Sequence, residues 1–235
     1  MSDVRMVDVD AVLFDLDGTL VDTTELIISS HEHTLIQHYR GALRPNRRDI
    51  LLNLGRSLPA TLREYAAADE AADAGDAAEE MLRTYCDYQS ANHDRMIRAF
   101  AGVRETLEEL TTRGYRLGVV TSKREVGACL ALAMYDLGGL LPFGVFHDDT
   151  DRHKPDPAPL LLAAQKYSLD ASRTAYVGDS IHDMAAGRAA GMRTVAALWG
   201  PFPREDLAIE RPDVFAPAPA SLLEVFPARR FSGSD

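Results

Sequence analysis

Residues 10–23 read DAVLFDLDGTLVDT, and this stretch decides the fold. Its first five residues are mostly apolar, which is typical of a short buried strand. The run ends at Asp15, Asp17 and Gly18, where the glycine lets the chain turn away. We therefore predict a strand whose carboxyl end carries two carboxylates.

Five later apolar runs repeat this pattern and alternate with helical stretches. The runs cover residues 115–120, 143–146, 174–177, 194–197 and 214–215. The helical stretches cover residues 102–113, 157–167 and 181–190, the second with Asp156 as its N-cap and Pro157 in its first position. Strands that alternate with helices, without hairpin signals, predict an α/β fold with a parallel sheet. Ligands bind beyond the carboxyl ends of such strands, where the polar clusters of this sequence fall.

Residues 23–92 interrupt the alternation, because they contain no convincing strand. Helical patterns cover residues 23–40, 57–68 and 77–90 of this stretch. About 70 residues is too long for an ordinary connection between a strand and the next helix. We expect a small helical domain inserted after the first strand.

The composition excludes several classes of partner. The 235 residues include 36 acidic and 25 basic side chains, so the formal net charge is −11. Nucleic acids and anionic membranes attract positive fields, so neither is an expected partner. The sequence shows no apolar run of membrane-spanning length and no signal-peptide pattern. With Cys86 and Cys129 far apart and at no metal-ligand spacing, we expect a cytoplasmic protein with reduced thiols.

Four polar clusters follow the presumed strands and describe one chemistry. They are Asp15 with Asp17, Thr121 with Ser122, Lys154, and Asp179 with Asp183. Each alone could be a turn or a helix cap. Together they supply carboxylates that can attack a phosphate ester, and hydroxyls that can bind its oxygens. Four carboxylates repel a phosphate unless cations offset their charge; Lys154 and a magnesium ion would do so.

The spacing of the first pair adds to this interpretation. Alternate residues of a strand point to the same face, so Asp15 and Asp17 can reach one centre. One carboxylate can attack in line while the other protonates the leaving oxygen and later activates water. The residues alone leave open which carboxylate has which role.

Four stretches resemble the ordered motifs of the haloacid dehalogenase superfamily. They read DLDGTLVDT (15–23), VVTSK (119–123), HKPDP (153–157) and VGDSIHDMAAGRAAGM (177–192). The DGTLVDT and KPDP variants are similar to the phosphoglycolate phosphatase-like branch. The resemblance implies a Rossmann-like catalytic core of residues 1–22 and 93–235, with an inserted all-helical cap of the C1 type at residues 23–92.

The resemblance also implies roles for individual residues. Asp15 matches the nucleophile that forms an aspartyl-phosphate and binds Mg²⁺. Asp17 matches the general acid and base, whose backbone carbonyl is a metal ligand. Thr121, with Ser122 beside it, and Lys154 match the residues that bind the phosphate.

The fourth motif of the resemblance supplies the remaining metal ligands. Asp179 matches a direct Mg²⁺ ligand, and Asp183 matches an acidic position that more often reaches the metal through water. Residue 178 is glycine where some relatives have a second acid. This leaves Asp183 as the partner of Asp179 and weakens an assignment as a sugar phosphomutase.

Two features of the cap bear on the substrate. Residues 40–56 contain five arginines and one acid, which indicates either a solvated basic face or a substrate site. Of these arginines, Arg56 follows a glycine in a loop that resembles the specificity loop of relatives, so under the second interpretation it is the candidate to reach a carboxylate or second phosphate. The histidines are not expected to bind the hard Mg²⁺ ion, and we expect His31 at the surface.

The sequence thus predicts a Mg²⁺-dependent phosphatase that acts on a small phosphorylated metabolite through an aspartyl-phosphate. Phosphoglycolate, another small phosphate ester and pyrophosphate are the candidate substrates. The alternatives are a sugar phosphomutase on the same fold and a non-catalytic binding or regulatory protein. The complete set of motif residues argues against the last. We expect a monomer or homodimer.

Overall fold

The computed structural model describes residues 6–41, 43–69 and 74–228. The chain divides into two compact units. The core unit comprises Met1–Val21 and Ala99–Asp235, and the helical unit comprises Asp22–Arg98. That the helical unit acts as a cap, with limits at residues 23 and 92, stays a prediction.

A six-stranded parallel sheet forms the centre of the core unit. Its strands are β1 (Ala11–Phe14), β4 (Arg116–Val120), β5 (Gly144–Val145), β6 (Thr174–Gly178), β7 (Arg193–Ala197) and β8 (Val214–Ala216). They lie in the order β5-β4-β1-β6-β7-β8. All six are the apolar runs expected from the sequence, and the predicted α/β class is confirmed. Two further short strands, β2 (Val21–Asp22) and β3 (Arg98–Ala99), form a separate two-stranded sheet.

Helices of the core unit follow the strands. They are α5 (Val103–Thr112), α6 (Glu125–Met134), α7 (Ala158–Lys166), α8 (Ile181–Ala189), α9 (Arg204–Ala208) and α10 (Leu222–Val225). Four 3₁₀ turns among the described residues complete it: Gly138–Leu140, His147–Asp149, Ala171–Arg173 and Pro219–Ser221. Side chains of both layers, such as Leu13, Val120, Leu160 and Tyr176, form a buried cluster. Burial of these apolar surfaces stabilises the sheet that carries the polar clusters.

The start of α7 differs slightly from the expected one. The helix begins at Ala158, so Pro157 is the N-cap. Asp156 still satisfies a terminal donor, because its Oδ1 accepts a hydrogen bond from the Ala158 N–H at 2.8 Å. Proline has no N–H of its own, so the carboxylate reaches the next donor along the chain.

The described part of the helical unit contains the helices α1 (Thr24–His38), α2 (Arg47–Leu52), α3 (Leu58–Ala68) and α4 (Ala74–Met96). Their buried faces share one cluster that includes Ile28, Leu35, Leu62 and Met81. Among the described residues, no helix is both long and apolar enough to cross a membrane. Neither cysteine forms a disulfide.

His31 is buried, so the expectation that it lies at the surface is wrong. It is 6 % exposed and packs edge-on against Tyr65 and Tyr85, with ring centroids 5.9 and 4.9 Å away. Its spacing from Ile28 and Leu35 places it on the buried face of α1. Its Nδ1 has no hydrogen-bond partner, and burial lowers its pKa to about 4.

Candidate active site

The carboxyl ends of three adjacent strands bring the predicted site residues together. Phe14 on β1 pairs with Val119 on β4 and Val177 on β6. The strand pairing extends one residue further, because the Asp15 N–H donates to the Val177 carbonyl at 2.9 Å. Asp15, Thr121 and Asp179 therefore lie next to one another at the carboxyl ends of their strands, as expected for a ligand site in a parallel sheet.

Lys154 is the centre of a buried polar network. Its Nζ lies 2.8 Å from Oδ1 of Asp15, 2.6 Å from Oδ1 of Asp183 and 3.0 Å from the Tyr176 hydroxyl. A lysine ammonium has three N–H donors, so these three acceptors use all of them. The Tyr176 hydroxyl also donates to the Val120 carbonyl at 2.8 Å. Tyr176, which is bonded to β4 in this way, therefore helps to fix the position of the lysine. Sequence analysis missed this tyrosine.

Asp183 joins this network to the start of helix α8. Its Oδ2 accepts hydrogen bonds from the Ser180 N–H and hydroxyl at 3.0 and 2.6 Å. The Ser180 Oγ in turn accepts from the Asp183 N–H at 3.1 Å, which completes a capping box. Both carboxylate oxygens of Asp183 are thus bonded within the protein, one to the cap and one to Lys154.

Asp179 lies in a space that two glycines leave open. A Cβ on Gly18, whose φ is +85°, would lie 2.4 Å from Oδ2 of Asp179. A Cβ on Gly200 would lie 2.4 Å from Cβ of Asp179. The Thr19 hydroxyl donates to Oδ1 of Asp179 at 2.7 Å, and the Trp199 Nε1 donates to the Thr19 carbonyl at 2.8 Å. Sequence analysis missed Thr19 and Gly200, although Thr19 belongs to the quoted DLDGT stretch.

Asp15, Asp179 and Asp183 form a group that could hold a metal ion. One carboxylate oxygen from each lies within 4.8 Å of the other two, and all three residues are buried. Burial, opposed by Lys154 and reinforced by Asp183, raises the pKa of Asp15 to about 7. Burial also raises the pKa of Asp179 well above its ordinary value, with the charges of Asp183 and Asp15 adding to the effect.

The charge balance of this group favours a hard divalent cation. Burial opposes ionisation of Asp183, but the charge of Lys154 and the hydrogen bonds from Lys154 and Ser180 together outweigh it and lower the pKa of that carboxyl. One lysine cannot offset three buried carboxylates. Carboxylate oxygens are ligands that Mg²⁺ prefers, so the donor set fits this ion.

Asp17 has a partner that sequence analysis missed. The Nζ of Lys123 lies 3.0 and 3.2 Å from its two carboxylate oxygens. Thr121 is buried, and its Oγ1 accepts a hydrogen bond from the Lys123 N–H at 3.2 Å. Ser122 is half-buried in the turn after β4. The position of Lys123 in the quoted VVTSK stretch was the available signal.

Arg56 lies in the helical unit and is already paired there. Its guanidinium donates to both carboxylate oxygens of Glu64, with the longer bond at 2.9 Å, and to Oδ1 of Asn53 at 2.5 Å. Its side chain is 27 % exposed. Arg47, another member of the arginine cluster, pairs with Glu25. Two of the five basic side chains are thus held by acids of the same unit.

Comparisons with known proteins agree on one family. A model of the haloacid dehalogenase-like hydrolase family matches residues 12–197. A protein named pyrophosphatase PpaX from Bacillus velezensis is 35 % identical over 225 residues, covering 96 % of this chain and 98 % of its own.

Solved structures show the same fold. A predicted phosphoglycolate phosphatase from Haemophilus somnus has a TM-score of 0.77 at 25 % identity, covering 94 % of this chain and 99 % of its own. A hydrolase from Pseudomonas syringae has a TM-score of 0.80 at 25 % identity, covering 91 % and 96 %.

Proposed function

The chain belongs to the haloacid dehalogenase-like hydrolase family, and we propose that it is a Mg²⁺-dependent phosphatase that acts through an aspartyl-phosphate on Asp15. One observation carries the proposal: the ammonium of Lys154 lies between the buried carboxylates of Asp15 and Asp183, and Asp179 lies within reach of the same point. This arrangement joins a nucleophile, a fixed positive charge and a metal-binding oxygen set.

The first half of the reaction transfers the phosphoryl group to Asp15. A carboxylate oxygen of Asp15 attacks the phosphorus, and the bond between phosphorus and the leaving oxygen breaks. Asp17 enters this step in its protonated form, gives its proton to that oxygen and becomes the carboxylate that takes part in the second half. The hydroxyls of Thr121 and Ser122 hold the remaining phosphoryl oxygens, and the positive charge of Lys154, fixed beside Asp15, offsets their negative charge.

The second half regenerates the carboxylate. Water attacks the phosphorus of the aspartyl-phosphate, and the ionised Asp17 takes a proton from that water. The bond between phosphorus and the Asp15 oxygen breaks, which releases inorganic phosphate and restores both aspartates. A bound Mg²⁺ would offset the negative charge that the carboxylates and the phosphate bring together. Asp15, Asp179 and the Asp17 carbonyl would hold it directly, and Asp183 would reach it through water.

Pyrophosphate is the first candidate substrate, because the relative at 35 % identity over 96 % of this chain is named a pyrophosphatase. A small phosphomonoester of the phosphoglycolate type is the second, because a solved structure of the same fold is named for that activity. The sugar phosphomutase alternative has less support, because position 178 has no side chain where mutase-like relatives carry an acid. We propose a cytoplasmic location and a monomeric or homodimeric state.

The test is a phosphate-release assay with pyrophosphate, phosphoglycolate and p-nitrophenyl phosphate, with Mg²⁺ and with a chelator. We expect activity with Mg²⁺, its loss on chelation, and its loss in Asp15→Asn. Asp87→Asn, which removes an exposed carboxylate of α4, is the matched control and should keep full activity. Equal activity of wild type and Asp15→Asn would refute the mechanism. Conversion of a hexose phosphate with a bisphosphate primer would instead support the mutase.

A further inference from the structure

Lys123 and Asp17 form a close ion pair at the edge of the sheet. Both carboxylate oxygens of Asp17 lie within hydrogen-bond distance of the same ammonium, at 3.0 and 3.2 Å. The two side chains are 9 % and 18 % exposed, so water competes little for either partner. Contact with both oxygens limits rotation of the carboxylate about its last bond.

The lysine is itself held at three points. Its N–H donates to Oγ1 of Thr121 at 3.2 Å, and its carbonyl accepts from the His147 N–H at 3.0 Å. Its aliphatic chain passes Gly127 on α6, where a Cβ would lie 3.3 Å from Cε. The direction of this side chain is thus set by three segments: the turn after β4, the 3₁₀ turn at His147–Asp149 and the first turn of α6. Such support from packing and hydrogen bonds is typical of a functional side chain whose rotamer must be fixed.

Lys123 differs from Lys154 in what it contacts. The ammonium of Lys154 bonds two carboxylates and a phenol, and it lies at the proposed attack point. The carboxylate partner of Lys123 is Asp17, two positions along the chain from the proposed nucleophile. The contact therefore bears on proton transfer rather than on the attacking oxygen.

We propose that Lys123 is a positioning residue that fixes the orientation of the Asp17 carboxylate for both proton transfers. This inference rests on the proposed phosphatase mechanism. Asp17 must face the leaving oxygen in the first step and the attacking water in the second. Small errors in the orientation of its carboxylate lower the rate of both steps. Lys123 acts through Asp17, so its effect on the rate should vanish when Asp17 can no longer transfer a proton.

A double-mutant cycle tests this dependence. Lys123→Met should lower kcat for p-nitrophenyl phosphate by about 10-fold or more, within the range that general acid–base catalysis supplies, and leave KM within about 2-fold. In an Asp17→Asn background the same substitution should cause no further loss. Lys123→Arg keeps the positive charge and can donate to both carboxylate oxygens of Asp17, so it should recover most of kcat. Lys166→Met removes a lysine that pairs with Asp149 elsewhere on the core unit and should keep wild-type kinetics.

Two outcomes would overturn the inference. An equal loss from Lys123→Met in both backgrounds, or a loss confined to KM, would show that Lys123 binds the substrate directly. Lys123→Gln is measured beside Lys123→Met, so the cycle can be completed with it if the methionine variant does not fold. Failure of the proposed function is a different result, because it requires that the wild type itself releases no phosphate from any of the substrates.

Discussion

Gly178 and Asp183 occupy one space at the end of β6. A Cβ on Gly178 would lie 2.4 Å from Cβ of Asp183 and 2.7 Å from its Oδ2. Asp183 cannot withdraw, because Ser180 and Lys154 hold its two oxygens. The Asp183 carboxylate, held in this position, therefore requires a glycine at position 178.

Gly178→Ala should destabilise the protein, because the new methyl group displaces a bonded carboxylate. Overpacking of this kind costs about 1–3 kcal/mol of the free energy of unfolding. Gly138→Ala is the matched control, since nothing lies within 4 Å of a Cβ there. Denaturant unfolding of both variants measures the difference. Equal stability of the two would show that Asp183 moves aside without cost.

Mg²⁺ should stabilise the protein by binding the carboxylate group at Asp15 and Asp179. At a concentration of about 100 times the dissociation constant, the free energy of unfolding should rise by about 2.7 kcal/mol. Asp179→Asn should lose most of this gain, and Asp87→Asn should keep it. Thermal melts with and without Mg²⁺ provide the measurement. An unchanged gain in Asp179→Asn would place the ion elsewhere.

The stability of the protein should decrease in mild acid because of His31. Burial lowers its pKa from 6.5 to about 4. Between these values the unfolded chain binds the proton more readily, so the free energy of unfolding falls as the pH drops from 6.5 towards 4. The contribution is fully present above pH 6.5 and amounts to about 3 kcal/mol.

Substitution of His31 provides the measurement. His31→Phe keeps an aromatic ring between Tyr65 and Tyr85 but does not titrate, so its free energy of unfolding should depend less on pH in this window. His33→Phe on the same helix is the control and should keep the wild-type slope, since it retains His31. An identical slope in His31→Phe and wild type would contradict the assignment.

Arg56 offers a test of substrate selectivity. If it binds a carboxylate or second phosphate, Arg56→Ala should raise KM for pyrophosphate by about 10-fold, the cost of a lost charged hydrogen bond, and change KM for p-nitrophenyl phosphate far less. Glu64→Gln leaves the guanidinium without its carboxylate partner, so it should lower KM for pyrophosphate. Arg44→Ala is the control from the same cluster. An equal effect of Arg56→Ala on both substrates would reduce Arg56 to a structural role within the helical unit.

The sequence indicated the sheet but not every helix. The six strands could be predicted because each is a short apolar run that ends in polar residues. Helix α6 was missed because EVGACLALAM is apolar on nearly all sides and has no clear helical period. Helix α2 has six residues, and its main signal is the capping box of Asn46 and Asp49.

The candidate site shows the same division. Motif spacing indicated the carboxylates, the hydroxyls and Lys154, because a phosphate site needs these groups at the ends of strands. It did not indicate Tyr176 or Gly200, since a tyrosine within a strand and a glycine after one have ordinary structural explanations. It also placed His31 at the surface, although the spacing of His31 from Ile28 and Leu35 was the available signal for the buried face of α1.

The sequence by itself determined the alternation of strands and helices and the chemical groups at the strand ends. Only the tertiary structure decided which groups meet. Lys154 and Asp15 are 139 positions apart, and Thr19 and Asp179 are 160 apart. Thr19 and Asp179 meet because β1 is the neighbour of β6 in the sheet, and Lys154 reaches Asp15 from the segment between β5 and α7. Hydrophobic periodicity reports the local environment of a residue, whereas strand order depends on the packing of the whole core, so the pairing of Lys123 with Asp17 became visible only in the folded chain.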